Sequence, residues 1–213
     1  MASATTFLTG ALVARACTKS EFGLYTMGFS LLALLLTVQT SLIATPFMVK
    51  LPRLSPAEAR RLAGNSLIHQ ILFGVLAAIV VVAFGGVVNV NDTALGKMLL
   101  ALGAALSFLL LRDYIRQYGF ARLEYARVLA FDVQLAVLQC AGLAALWAAG
   151  VLSAATAFLV LGAASALTAL HWSFVTRTQR TLSRKALLAD LANNWSSGKW
   201  LLASGLVWAV GMN

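Results

Sequence analysis

Long apolar runs, parted by short polar or basic stretches, set the pattern of this chain. Apolar residues fill positions 22–49, 64–88, 94–111, 128–149 and 152–175, and a helix of roughly 17–25 such residues crosses a bilayer. A marginal run, 2–16, precedes them and contains Thr5, Thr6, Thr9 and Arg15. A last run, 200–213, is too short to span. Residues 89–92, Asn-Val-Asn-Asp, read as a polar turn. No strand-like alternation recurs, which argues against a membrane barrel. The pattern predicts an all-α polytopic membrane protein. Residues 1–175 form a six-helix transmembrane bundle, 176–199 a basic amphipathic cytoplasmic linker, and 200–213 the start of a seventh helix.

Composition supports a lipid solvent. The chain is 61% apolar and 11% charged, against roughly 45–50% and 25% in soluble domains. So few polar residues cannot coat an apolar core. The net charge of +9 would suggest nucleic acid in a soluble protein. Here the basic residues sit between apolar runs, where they act as topology signals facing anionic lipid headgroups.

The six-helix layout separates the charges. Lys50, Arg53, Arg60 and Arg61 follow the second run, and Arg112, Arg116, Arg122 and Arg127 follow the fourth. Arg177, Arg180, Arg184, Lys185 and Lys199 follow the sixth. These are 13 of the 16 Lys and Arg residues; Arg15, Lys19 and Lys97 fall on the other side or just inside the membrane. The excess predicts a cytoplasmic N-terminus. Leu187, Leu191 and Trp195 recur on one helical face with Leu188 beside them, as in a helix lying on headgroups. Trp172, Trp195 and Trp200 read as one aromatic belt and Trp147 as the other.

Ionisable and amide groups inside apolar runs are expensive, so each needs a reason. Asp132 and Gln139 share a helical face. They either line a hydrated cavity, near a coupling proton or a substrate hydroxyl, or serve structure, Asp132 pairing with a loop arginine such as Arg112 and Gln139 bonding across a helix interface. Arg15 either holds a phosphate, whose oxygens its guanidinium matches bidentately, or snorkels to headgroups. His69, one turn from Asn65, and His171, beside Trp172, read as interfacial residues. Thr26, Ser30, Thr37 and Ser41 lie close to one face of the second run, and Ser165 and Thr168 mark the sixth. Such residues mark close helix packing or, alternatively, a sugar-binding wall.

The chain carries no GxSxG, HExxH, Walker loop or paired carboxylates, so no enzymatic role is expected. Cys17 and Cys140 have no CxxC or ligand spacing with the histidines, so neither a disulfide framework, a metal site nor a cofactor is expected.

Several stretches resemble the polysaccharide and O-antigen flippases of the MOP superfamily. ALVARACTKSEFGLYTMGFSLLALL is similar to their first two helices, with Arg15 ending the first and Phe22-Gly23-Leu24-Tyr25 opening the second. RDYIRQYGFARLEYARVLAFD resembles their Arg-rich link between helices 4 and 5, with Asp132 following, and SSGKWLLASGLVWAVG resembles the opening of helix 7. The resemblance implies one of two six-helix lobes that face each other across a cavity. It implies a lipid-linked oligosaccharide as substrate, carried across the bacterial inner membrane by alternating access, with cavity arginines on its pyrophosphate. Arg15 and Gln139 are the cavity candidates, and Asp132 and Arg112 the coupling or structural ones. The partners implied are that lipid, anionic membrane lipids and a missing C-terminal lobe; nucleic acid is not one. One lobe cannot enclose such a cavity, so the chain reads as a fragment. The alternatives are a multidrug/cation antiporter of the same superfamily, with Asp132 as its coupling site, and a non-transporting membrane scaffold.

Overall fold

A computed structural model describes residues 4–176, 181 and 184–211. They form helices α1 (Ala4–Ala16), α2 (Lys19–Gln39), α3 (Thr45–Lys50), α4 (Pro56–Val88), α5 (Thr93–Ala121), α6 (Tyr125–Ala148), α7 (Ala154–Thr176) and α8 (Arg184–Gly211). Among the described residues, five continuous stretches are long and apolar enough to cross a membrane: Lys19–Arg53, Pro56–Val88, Thr93–Ala121, Tyr125–Ala148 and Ala154–Val175. The apolar helix α1 is shorter: its 13 residues reach only about 20 Å at helical rise, less than the roughly 30 Å hydrocarbon core.

The helix ends follow from local chemistry. Ser55 opens α4 with a capping box: its side chain accepts from the Glu58 amide while Glu58 bonds back to the Ser55 amide. Asp92, the last residue of the polar turn, accepts from the amides of Ala94 and Leu95 to open α5. Gly150, at φ 68°, ends α6 in the left-handed conformation. Its amide donates to Trp147 O, and that of Val151 to Leu146 O, the paired bonds of a Schellman cap.

Pro46 does not close the second run. The chain makes a π turn at Thr40–Ala44, then continues through α3, with Pro46 in its first turn. A proline ring clashes with the carbonyl one α-turn back. The wider turn, in which the Thr45 amide donates to Thr40 O, makes room for it.

Helix α5 is the axis of the bundle. It packs along α4 on one side and α7 on the other and also touches α2 and α6. Leu102, Leu106, Leu109, Leu110, Tyr114 and Ile115 are buried along its length. Small residues set the closest approaches: a Cβ on Gly162 of α7 would stand 2.5 Å from Ala105 Cβ and 2.8 Å from Ala105 Cα. The outward face of α4 carries Ile71, Leu72, Val75, Leu76, Ile79 and Val80, all exposed. An apolar face of this extent belongs against lipid.

The expected loop after the fourth run is largely helical, and the helix expected within the basic linker is longer than that linker. The fourth apolar run ends at Leu111, but α5 continues to Ala121. The connection to α6 is only 122–124, with Leu123 at φ 60°. Most of the stretch expected as linker is likewise part of α8, which runs unbroken past Trp200. Arg177 and Arg180 lie outside the described residues.

Candidate functional site

The extension of α5 carries charge into the bundle. Arg112, Asp113, Arg116 and Gln117 follow the apolar run at i, i+1, i+4 and i+5, so one helical flank holds two cations, a carboxylate and an amide. Arg116 Nε donates to Asp132 Oδ2 of α6 at 3.0 Å, and its guanidinium lies 5.4 Å from the Phe120 ring centroid. Gln117 Nε2 donates to Asp113 and to Thr40 Oγ1 of the π turn at 3.2 Å. Among the described residues Arg112 makes no direct ion pair; Asp113 and Asp132 act on it through space.

These groups border an open-sided cavity of about 340 Å³ lined by residues of α1, α2, α5, α6 and α7. Its polar lining is Thr6, Thr9, Tyr25, Arg112, Asp113, Arg116 and Gln139; Phe29, Leu32 and Leu36 form the apolar wall. Gln139 is buried, and its Nε2 has no hydrogen-bond partner among the described residues. Two shallower hollows continue the cavity along α2. One is lined by Thr6, Tyr25, Thr26 and Ser30, the other by Thr37, Thr40, Ser41, Asp113 and Gln117. The hydroxyl face of α2 is thus the wall of a groove whose deepest part holds the charges. Thr26 and Thr37 donate to the carbonyls of Gly23 and Ala33, which leaves their oxygens able to accept. A guanidinium, a free amide donor and a row of hydroxyls suit a ligand with an anionic group and a hydroxylated body.

The sequence-level candidates separate in three dimensions. Gln139 and Arg112 line this cavity. Asp132 borders it through Arg116, which replaces Arg112 as the expected partner. Arg15 is exposed at the end of α1 and is not among the lining residues. Ser165 and Thr168 are buried and donate to the carbonyls of Leu161 and Ala164, in keeping with helix packing. Trp172 is not in an aromatic belt: it is buried, edge-on to Phe131 at 5.7 Å between ring centroids. His171 is exposed and meets Gln134 Oε1 at 2.9 Å. His69 is buried, its Nε2 3.1 Å from Leu187 O.

Asp113, Arg116 and Gln117 were not singled out by sequence reasoning, although the i, i+4 pairing of Arg112 with Arg116 and Asp113 with Gln117 is a helical signal. A second cluster was legible only in part: Asn65 and His69 stand out one turn apart in the sequence, but their partners do not. Lys50 donates to Asn194 at 3.0 Å and Asn65 to Asp190 at 2.7 Å. With His69 on Leu187, these bonds fasten α8 across the ends of α3 and α4. No single element carries a motif for it.

Fold and groove together define a multi-pass helical membrane protein with a charged, hydroxyl-lined groove among its spans. No protein-family model, curated protein or solved structure matches the chain.

Proposed function

We propose that the chain is the N-terminal lobe of a flippase that carries a lipid-linked oligosaccharide across the bacterial inner membrane, for assembly of a surface polysaccharide. The carrying observation is the groove: Arg112, which makes no direct ion pair among the described residues, shares a cavity with Gln139, whose Nε2 has no partner among them, and the cavity continues into the hydroxyl face of α2. In this reading Arg112 takes the diphosphate, while Gln139, Thr26, Ser30 and Thr37 meet sugar hydroxyls. Helix α1 is the sixth element of the lobe, and the basic ends of the helices lie in the cytoplasm with the N-terminus. A second lobe closes the groove, and rocking between the lobes exposes it to each leaflet in turn. The multidrug/cation antiporter reading would need Asp132 free to exchange its ion. Its bond to Arg116 favours the flippase.

The test is genetic. A strain lacking the gene should lose surface polysaccharide and accumulate its lipid-linked precursor, and the intact gene product should restore export. Restoration by the Arg112→Ala product should fall about tenfold or more, the expected loss of charge-assisted bonds to one anion. Arg112→Lys should recover part of it, and Arg15→Ala should export normally. Unchanged surface polysaccharide in the strain lacking the gene would sink the reading.

A further inference from the structure

Where α5 faces the π turn, oxygen atoms gather around one point. Thr37, Thr40 and Ser41 stand at i, i+3 and i+4, so they share a helical face. Asp113 and Gln117, one turn apart on α5, stand opposite them. With Leu36, these five polar residues line an open hollow of about 280 Å³. That is room for an ion with several waters, at about 30 Å³ each.

The convergence is visible in two hydrogen bonds. Gln117 Nε2 donates to Asp113 Oδ2 and, at 3.2 Å, to Thr40 Oγ1. One nitrogen thus marks a position that a carboxylate oxygen of α5 and a hydroxyl oxygen of the π turn both reach. Thr37 Oγ1 donates to Ala33 O and keeps its lone pairs. Ser41 is 7% exposed and borders the hollow, and its hydroxyl has no hydrogen-bond partner among the described residues. Turning the Gln117 amide about its last bond exchanges Nε2 for Oε1, which is an acceptor. The hollow then offers oxygens from all five polar side chains. π turns also recur at functional sites.

Carboxylate, hydroxyl and amide oxygens without nitrogen or sulfur suit a hard cation. The charge it carries follows from the neighbours. Asp113 is the one carboxylate lining the hollow, so it can balance a single positive charge. Arg112 stands next to it in the chain and would oppose a second. Arg116, on the same flank, is already matched by Asp132.

We infer that this hollow binds one monovalent alkali cation, Na⁺ or K⁺. Asp113 is its charged ligand, Thr40 and the turned Gln117 amide lie beside it, and Ser41 and Thr37 complete its oxygens. The ion replaces the Gln117 amide protons as the partner of Asp113 and Thr40. The site needs no lipid-linked ligand, so it stands or falls separately from the proposed transport.

The test is thermal unfolding of the purified full chain in detergent, with NaCl or KCl replacing N-methyl-D-glucamine chloride at constant ionic strength. Holding chloride constant keeps any anion effect at Arg112 the same in every arm. Na⁺ or K⁺ should raise the unfolding temperature by about 3–6 °C at ten times its half-saturating concentration, the shift that linked binding gives a chain of this size. Asp113→Asn should abolish that shift. If this variant fails to fold, Thr40→Val, which removes one hydroxyl ligand and keeps the side chain's shape, should raise the half-saturating concentration about fivefold. No saturable shift with either ion, a shift that survives Asp113→Asn, or an unchanged half-saturating concentration in Thr40→Val would each overturn the inference.

Discussion

Arg116 reaches from α5 to α6 and places its Nε 3.0 Å from Asp132 Oδ2. This bond ties the two helices together near their short connection. It also turns an aspartate in an apolar run into half of an ion pair. Both side chains remain about a third exposed, 37% and 35%, so solvent or headgroups screen the attraction. The pair should therefore contribute about 0–1 kcal/mol, as exposed pairs do. Asp132→Asn should lower thermal stability in detergent only slightly. Arg116→Ala should cost more, because it also loses the contact with Phe120, worth about 0.5–1 kcal/mol. A double-mutant cycle would separate the two; a coupling energy well above the exposed-pair range would mean the pair is shut away from water.

The same bond shows why hydropathy misplaced the end of α5. A run of apolar residues stops where the first arginine stands, so Arg112 reads as the start of a loop. The backbone does not stop there: Arg116 bonds Asp132, Gln117 bonds Asp113, and Arg112, Asp113 and Arg116 line a cavity. What was legible in the sequence was what a single segment determines: the long apolar helices, the turn at 89–92 and the hydroxyl face of α2. Tertiary relations were not. The docking of α8 rests on Lys50, Asn65, Asp190 and Asn194 meeting from three helices, and although Lys50 and Asn65 stand out in their own stretches, nothing there points to Asn194 and Asp190 as their partners. The π turn before Pro46 and the burial of Trp172 were hidden for the same reason.

Gly198 should govern whether α8 stays docked. A Cβ there would stand 2.5 Å from Ser41 O and 3.0 Å from Leu42 Cα, and backbone atoms cannot move aside as a flexible side chain can. Gly198→Val should push α8 away from the π turn and weaken the Lys50–Asn194 and Asn65–Asp190 bonds with it. Overpacking of this kind costs about 1–3 kcal/mol. Amide hydrogen exchange should rise along residues 187–198 and at the π turn while the centre of α5 stays protected. Unchanged exchange at both would show that the approach is looser than the structure has it.

Cys17 lies in the turn between α1 and α2, outside the five long spans. Its Sγ contacts Leu152 O at 3.5 Å. Burial pushes the thiol above its ordinary value, and the Glu21 carboxylate adds to the rise. Because the thiolate is the reactive form, alkylation in a Cys140→Ser background should reach half its limiting rate at higher pH than a free thiol, which titrates near about 8.5. Glu21→Gln should move the midpoint part of the way back. A midpoint at or below that of the free thiol would contradict the burial. With an impermeant maleimide on sealed cells, the same residue tests the proposed orientation: it should label from outside.

Leu123 offers a gain in stability. It occupies the left-handed region at φ 60° and is exposed, so no packing explains the choice. The chain adopts it to close α5: the Leu123 amide donates to Phe120 O and the Glu124 amide to Gly119 O, the Schellman pattern in which glycine is usual. A Cβ in this conformation costs roughly 1–2 kcal/mol. Glycine removes that strain but loses about 0.5–1 kcal/mol to the freedom of the unfolded chain. Leu123→Gly should therefore stabilise the protein by up to about 1.5 kcal/mol, seen as a higher unfolding temperature in detergent. Leu123→Pro should do the opposite, since its ring fixes φ near −65° and removes the amide that bonds Phe120. If the glycine variant melts lower than the parent, Leu123 is held by a contact with lipid or with another chain, and the left-handed cap is not the strain it appears from geometry alone.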